Sequence, residues 1–151
     1  MDQSQYKQIL SEAISREIEA QRFYSDAAGK IADTFLRDLF AGFVDEEKRH
    51  QEILEGYLNS VPESLPFDGN RDYQVAKTVE SPEVSSEMKP ADAFALAMKK
   101  EEEAMNQYSA LADGCTDPDQ KAVFQRLAAM EKQHKAKMEQ AFVDIGYPEL
   151  W

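Results

Sequence analysis

The stretch "FVDEEKRHQEIL", residues 43–54, decides how this chain folds. Phe43, Glu47, His50 and Leu54 recur at spacings of four, three and four, so they fall on one face of a helix. Phenylalanine and leucine mark that face as the buried one, yet a carboxylate and an imidazole sit in its middle. The same pattern returns in "LAAMEKQHKAKM", residues 127–138, where Leu127, Glu131, His134 and Met138 occupy the corresponding places. His50 and His134 are the only two histidines in a chain with 29 acidic residues, and each follows a glutamate by one helical turn.

The two stretches are parts of a longer repeat. A shift of 84 positions, without a gap, carries Glu17 onto Glu101, Ala20 onto Ala104 and Tyr24 onto Tyr108. It also carries Phe40 onto Phe124, Glu47 onto Glu131 and His50 onto His134. One helical hairpin is therefore present twice. Apolar residues at helical spacing predict four helices, over about 4–28, 34–58, 91–113 and 118–145. Gly29 is the expected stop of the first, Asp33 the N-cap of the second. Asp117, Pro118 and Gln120 read as N-cap, N1 and N3 of a capping box for the fourth. Short turns join the first helix to the second and the third to the fourth, so each pair is an antiparallel hairpin. Between the pairs, residues 59–90 carry four prolines and no helical period. A helix of some 25 residues spans roughly 37 Å, a distance that this segment covers as a crossover. The expected fold is all-α: a single-domain four-helix bundle of two hairpins joined by a long crossover.

Composition agrees. At 151 residues, with 42% hydrophobic and 10% aromatic residues, the chain suits one globular domain. A net charge of −12 argues against nucleic acid or an anionic membrane surface as partner, and favours a protein that attracts cations. Cys115 is the sole cysteine, which excludes an intrachain disulfide or a Cys-x-x-Cys metal knuckle; it reads as an inert thiol. No apolar run approaches a membrane span, the N-terminus lacks a signal-peptide core, and a cytoplasmic setting is expected.

All four apolar stripes are interrupted at one level. Measured from the hairpin turns, Glu17 and Glu47 stand at nearly equal heights, and so do Glu101 and Glu131. Four carboxylates and two imidazoles should therefore meet in the middle of the bundle. Burying even one unpaired ion costs several kcal/mol, so such a cluster calls for compensating cations. Two divalent metal ions would neutralise four carboxylates and take the imidazole nitrogens as ligands. Oxygen-rich ligands with two imidazoles suit iron or manganese, with zinc as a redox-silent substitute. Glu19, Glu46, Glu102 and Glu103 lie off the stripes and read as a solvated face, and the methionines read as core filling.

The motifs "ISREIEAQRFY" (14–24), "FVDEEKRHQEIL", "MKKEEEAMNQY" (98–108) and "LAAMEKQHKAKM" resemble the ferritin-like di-iron carboxylate superfamily, specifically its rubrerythrin-like branch. That ligand set is one glutamate from each of two helices and Glu-x-x-His from the other two. The resemblance implies Glu47 and Glu131 bridging or chelating beside His50 and His134, with Glu17 and Glu101 as terminal ligands. It places Tyr24 and Tyr108 behind them. The implied function is a non-haem di-iron protein, redox-active towards hydrogen peroxide or dioxygen with Fe(II) oxidation, in oxidative-stress or iron handling. The alternative is a non-catalytic protein that binds and buffers iron, zinc or manganese.

Three departures bear on the function. One cysteine cannot build the four-cysteine rubredoxin centre of full rubrerythrins, so a peroxidase would need an external electron donor. Ala104 stands where those proteins have an additional redox-mobile glutamate. Few residues follow Gly146, which disfavours the fifth helix of shell-forming ferritins. The closing segment "FVDIGYPELW" offers apolar surface, and a homodimer is expected.

Overall fold

The computed structural model describes residues 1–60 and 90–145. They form α1 (Gln3–Lys30), α2 (Thr34–Asn59), α3 (Pro90–Gly114) and α4 (Pro118–Ile145). No strand occurs among the described residues. α1 packs on α2 and α3 on α4 as hairpins, and together they make a four-helix bundle. The crossover, apart from its helical ends, and the segment from Gly146 onward lie outside the described residues.

Local chemistry sets the helix ends. Asp33 caps α2 by accepting from the Leu36 amide at 3.0 Å. The Asp117 carboxylate accepts from the amides of Asp119 at 2.8 Å and Gln120 at 3.0 Å at the start of α4. The expected reciprocal half of that box is not made: Gln120 is buried and its amide donates instead to the Met1 carbonyl at 3.5 Å. The N-terminal methionine fills the space beneath α4, and this contact between distant residues outcompetes the local one. A complete capping box forms at α1 instead, where Asp2 accepts from the Gln5 amide and Gln5 returns the bond.

Gly29 does not end α1. The helix continues through Lys30 to a C-cap at Ile31, which is extended (φ −88°, ψ 126°) and buried. Burial of Ile31 decides where the chain turns, and Arg37 fastens the turn by donating from Nε and Nη2 to the Ile31 carbonyl at 3.2 and 3.0 Å. Pro90 is the first residue of α3, the position where its missing N–H costs nothing.

The apolar core is divided in two. One cluster gathers Tyr6, Ile9, Leu10, Leu54, Tyr108, Phe124 and Leu127. The other gathers Phe23, Tyr24, Leu36, Phe40, Phe43, Phe94 and Met138. Between them lies a layer of buried polar side chains: Glu17, Glu47, His50, Glu101, Glu131 and His134.

Candidate metal centre

Each helix brings its polar residues to this layer by the periodicity that buries its apolar ones. Along α2, Phe43, Glu47, His50 and Leu54 are all buried. Along α4 the same holds for Leu127, Glu131, His134 and Met138. Glu17 and Glu101 enter from α1 and α3 and are no more than 5% exposed.

The distances join the six into one cluster. His134 Nδ1 stands 2.8 Å from Glu47 Oε1 and 3.3 Å from Glu101 Oε1. His50 Nδ1 stands 3.6 Å from Glu17 Oε2, 3.7 Å from Glu47 Oε2 and 3.6 Å from Glu131 Oε1. The two imidazoles face each other nearly at right angles, with ring centroids 5.2 Å apart. Glu47 therefore points one oxygen at each histidine.

Proximity here is not hydrogen bonding. Among the described residues, Glu47 Oε1, Glu131 Oε1, Glu101 Oε2, His50 Nδ1 and both His134 nitrogens are buried without a hydrogen-bond partner. Short approaches without aligned donors leave these atoms in an arrangement that a shared cation would satisfy. Three sets could each hold a cation, with one donor atom per residue inside 4.8 Å: Glu47–His50–His134, Glu17–His50–Glu131 and Glu101–Glu131–His134. Every one of the six residues belongs to at least one set, and Glu131 and both histidines belong to two.

Electrostatics gives the same account of a cluster that lacks charge compensation. Burial, with Glu47 close by, pushes Glu17 from 4.5 up to about 8. Burial likewise pushes Glu47 and Glu131 well above the usual carboxylate range. Burial opposes ionisation of Glu101 too, but the close approach of the Glu131 carboxyl and the His134 imidazole outweighs it and holds Glu101 at about 2. Without cations, burial favours the neutral form of Glu17, Glu47 and Glu131, while the neighbours of Glu101 favour its charged form.

The two tyrosines behave differently. Tyr24 stands behind the ligands, as the resemblance implied, and donates to Glu101 Oε1 at 3.2 Å. It stands in an aromatic wall with Phe40 and Phe43, and Phe43 also touches the His134 ring at 5.7 Å. Tyr108 makes no matching bond to Glu17; the Arg16 guanidinium lies over its ring, 5.9 Å from the centroid. Burial first, then the charges of Glu131 and Glu17, raises the Tyr108 hydroxyl.

A rubrerythrin family model matches residues 8–142, which include all six clustered side chains. The chain belongs to the rubrerythrin family. A solved structure of a hypothetical protein from Pyrococcus furiosus is similar at 26% identity, with a TM-score of 0.65. The match covers 91% of this chain and 87% of that one. No curated protein matches the chain. The buried polar layer was legible in the helical stripes, and the rubrerythrin-like resemblance was carried by the four motifs that contain it. Arg16 was not legible there. Its signal is the column Ile9–Arg16–Phe23, spaced by sevens, whose outer members are buried on the flank of α1. Glu46 stays at the surface, where it pairs with the exposed Arg49 at 3.3 Å and Lys137 on α4 at 3.2 Å. Among the described residues, no helix is long and apolar enough to cross a membrane.

Proposed function

We propose that this protein holds two metal ions, iron in its working form, between the histidine-bearing helices and the two lone glutamates. Glu17 and His50 hold one ion, Glu101 and His134 the other, and Glu47 and Glu131 are shared. The carrying observation is the set of buried donor atoms that approach one another closely yet have no hydrogen-bond partner. A cation satisfies all of them and replaces the protons on the raised carboxyls. Carboxylates with two imidazoles suit iron or manganese.

Two ferrous ions held there would supply two electrons to dioxygen or hydrogen peroxide. The chain's own residues supply the surroundings. Tyr24 orients Glu101, the aromatic wall of Phe40, Phe43 and Phe94 excludes water on the His134 side, and Glu47 spans both histidines. Turnover as a peroxidase takes its electrons from an external donor, because one cysteine cannot form an iron–sulfur centre within this chain.

Apoprotein loaded anaerobically with Fe(II) should bind two irons per chain. Rapid mixing with peroxide, and separately with dioxygen, should then produce ferric absorbance well ahead of iron in buffer. Two irons oxidised no faster than in buffer would sink the redox reading and leave an iron-binding, buffering protein.

A further inference from the structure

α4 carries a charge pattern at odds with so acidic a chain. Between Asp119 and Glu139 it has five basic residues, Lys121, Arg126, Lys132, Lys135 and Lys137, and one acid, Glu131, which is buried in the polar layer. Lys137 pairs with Glu46 of α2 and Lys135 with Glu139, and Glu102 of α3 also acts on Lys135. Lys121, Arg126 and Lys132 are exposed and make no ion pair among the described residues. A hollow of about 530 Å³ lies along this face, lined by Arg126, Ala129, Met130, Lys132, Gln133 and Ala136. The repeat shows how the two histidine-bearing helices differ here. Where α4 has Ala129, Met130 and Ala136, α2 has Asp45, Glu46 and Glu52. Inward the two helices match; outward, α4 replaces three acids with small or apolar side chains.

An apolar centre containing methionine, inside a polar rim containing arginine, is the make-up of a protein–protein interface. Charge then specifies the partner. Three uncompensated cations attract an acidic surface, whereas the net charge of −12 repels a polyanion long enough to reach beyond this face, such as nucleic acid. A compact acidic protein touches the face alone. Position gives the role. Glu131 and His134 project from the buried side of the helix whose outer side holds the hollow, and Lys132 and Gln133 lie between them in sequence. One helix thickness, about 10–12 Å, separates the hollow from the metal-facing side chains.

We propose that the outer face of α4, centred on Ala129, Met130 and Ala136 and rimmed by Arg126 and Lys132, docks a small acidic electron-carrier protein. Each reduced carrier gives up one electron there and leaves oxidised, so two encounters return two ferric ions to the ferrous state. The inference rests on the redox reading above and gives the external donor that it requires a place to bind. Charge complementarity steers the encounter, so binding weakens as salt screens it.

The probe is an acidic plant-type ferredoxin, and its affinity for the full metal-loaded chain is measured at low and at high salt. Arg126→Glu and Lys132→Glu should each weaken binding by about tenfold, with metal stoichiometry unchanged. The triple variant Ala129→Asp, Met130→Glu, Ala136→Glu gives α4 the acids of α2 and should abolish binding. Lys48→Glu makes the same change of charge at the position of α2 that the repeat relates to Lys132, and should stay within about threefold of the parent. Equal loss in Lys48→Glu and Lys132→Glu overturns the proposal, since net charge rather than this face would then be responsible. Tighter binding of duplex DNA, or self-association of the chain that the triple variant abolishes, overturns it by giving the face another occupant. Absence of ferredoxin binding to a chain whose two irons are rapidly oxidised overturns this inference alone. Ferredoxin that docks but leaves the ferric protein unreduced overturns the redox reading, and the electron-delivery role with it.

Discussion

Raising the pH of metal-free protein from 5 to 8 should destabilise it, which is unusual for an acidic protein well above its carboxylate range. Glu17 has its folded-state value raised from 4.5 to about 8. Between those values the folded chain keeps the Glu17 proton and the unfolded chain does not. The stabilisation is therefore complete below about pH 4.5 and is lost as the pH rises through about 8. At about 1.4 kcal/mol per unit, that displacement is worth about 5 kcal/mol if Glu17 titrates alone. Glu47 and Glu131 are raised as well and act in the same direction. Glu101, held at about 2, contributes stability that is lost only as pH falls through that value, so it is silent in this window. Small domains have a total stability of about 5–15 kcal/mol, so the loss is large. Urea unfolding of chelator-treated protein at pH 5, 6.5 and 8, followed by circular dichroism, measures it. In the metal-loaded protein the cations take the place of the protons and the decline should vanish. A flat or rising stability curve for the metal-free protein would refute the account of a buried cluster short of compensating charge.

Replacing Glu131 by Ala removes a residue that faces both histidine sides, so metal analysis should find no more than one tightly bound ion per chain; two retained ions would place the site elsewhere. Tyr24→Phe deletes the hydrogen bond to Glu101 and should destabilise the metal-free protein by about 1.5–3 kcal/mol, measured by urea unfolding. Phe40→Ala empties a fully buried position against Phe43 and Phe94 and should cost about 3–5 kcal/mol, seen as a lowered Tm. Asp33→Ala removes the N-cap of α2 and should cost about 1 kcal/mol with metal binding unchanged.

What the chain announces about itself follows from period and repetition. Core positions three and four apart along a helix share a face whatever surrounds it, so Glu17, Glu47, Glu101, Glu131 and the two histidines could be assigned to the interior before any contact was known. Their common height follows from the length of each hairpin. Interactions between hairpins have no such local signature. Whether Gln120 closes its own capping box or reaches Met1 depends on residues 119 positions apart, and the buried contact won. The end of α1 was set by burial of Ile31 and not by Gly29, because a side chain with a place in the core outweighs the conformational ease of glycine.

The repeat likewise promised two equivalent halves, and tertiary packing made them unequal. Tyr24 meets a carboxylate whereas Tyr108 meets a guanidinium, since Arg16 and Lys100, though related by the repeat, settle on different rings across the α1–α3 seam. Sequence by itself determined which residues are buried and at what level, because those properties are set by distance along one helix. Only the tertiary structure decided which oxygen faces which imidazole and which ring Arg16 and Lys100 each rest on, because those depend on how four helices come to rest against one another.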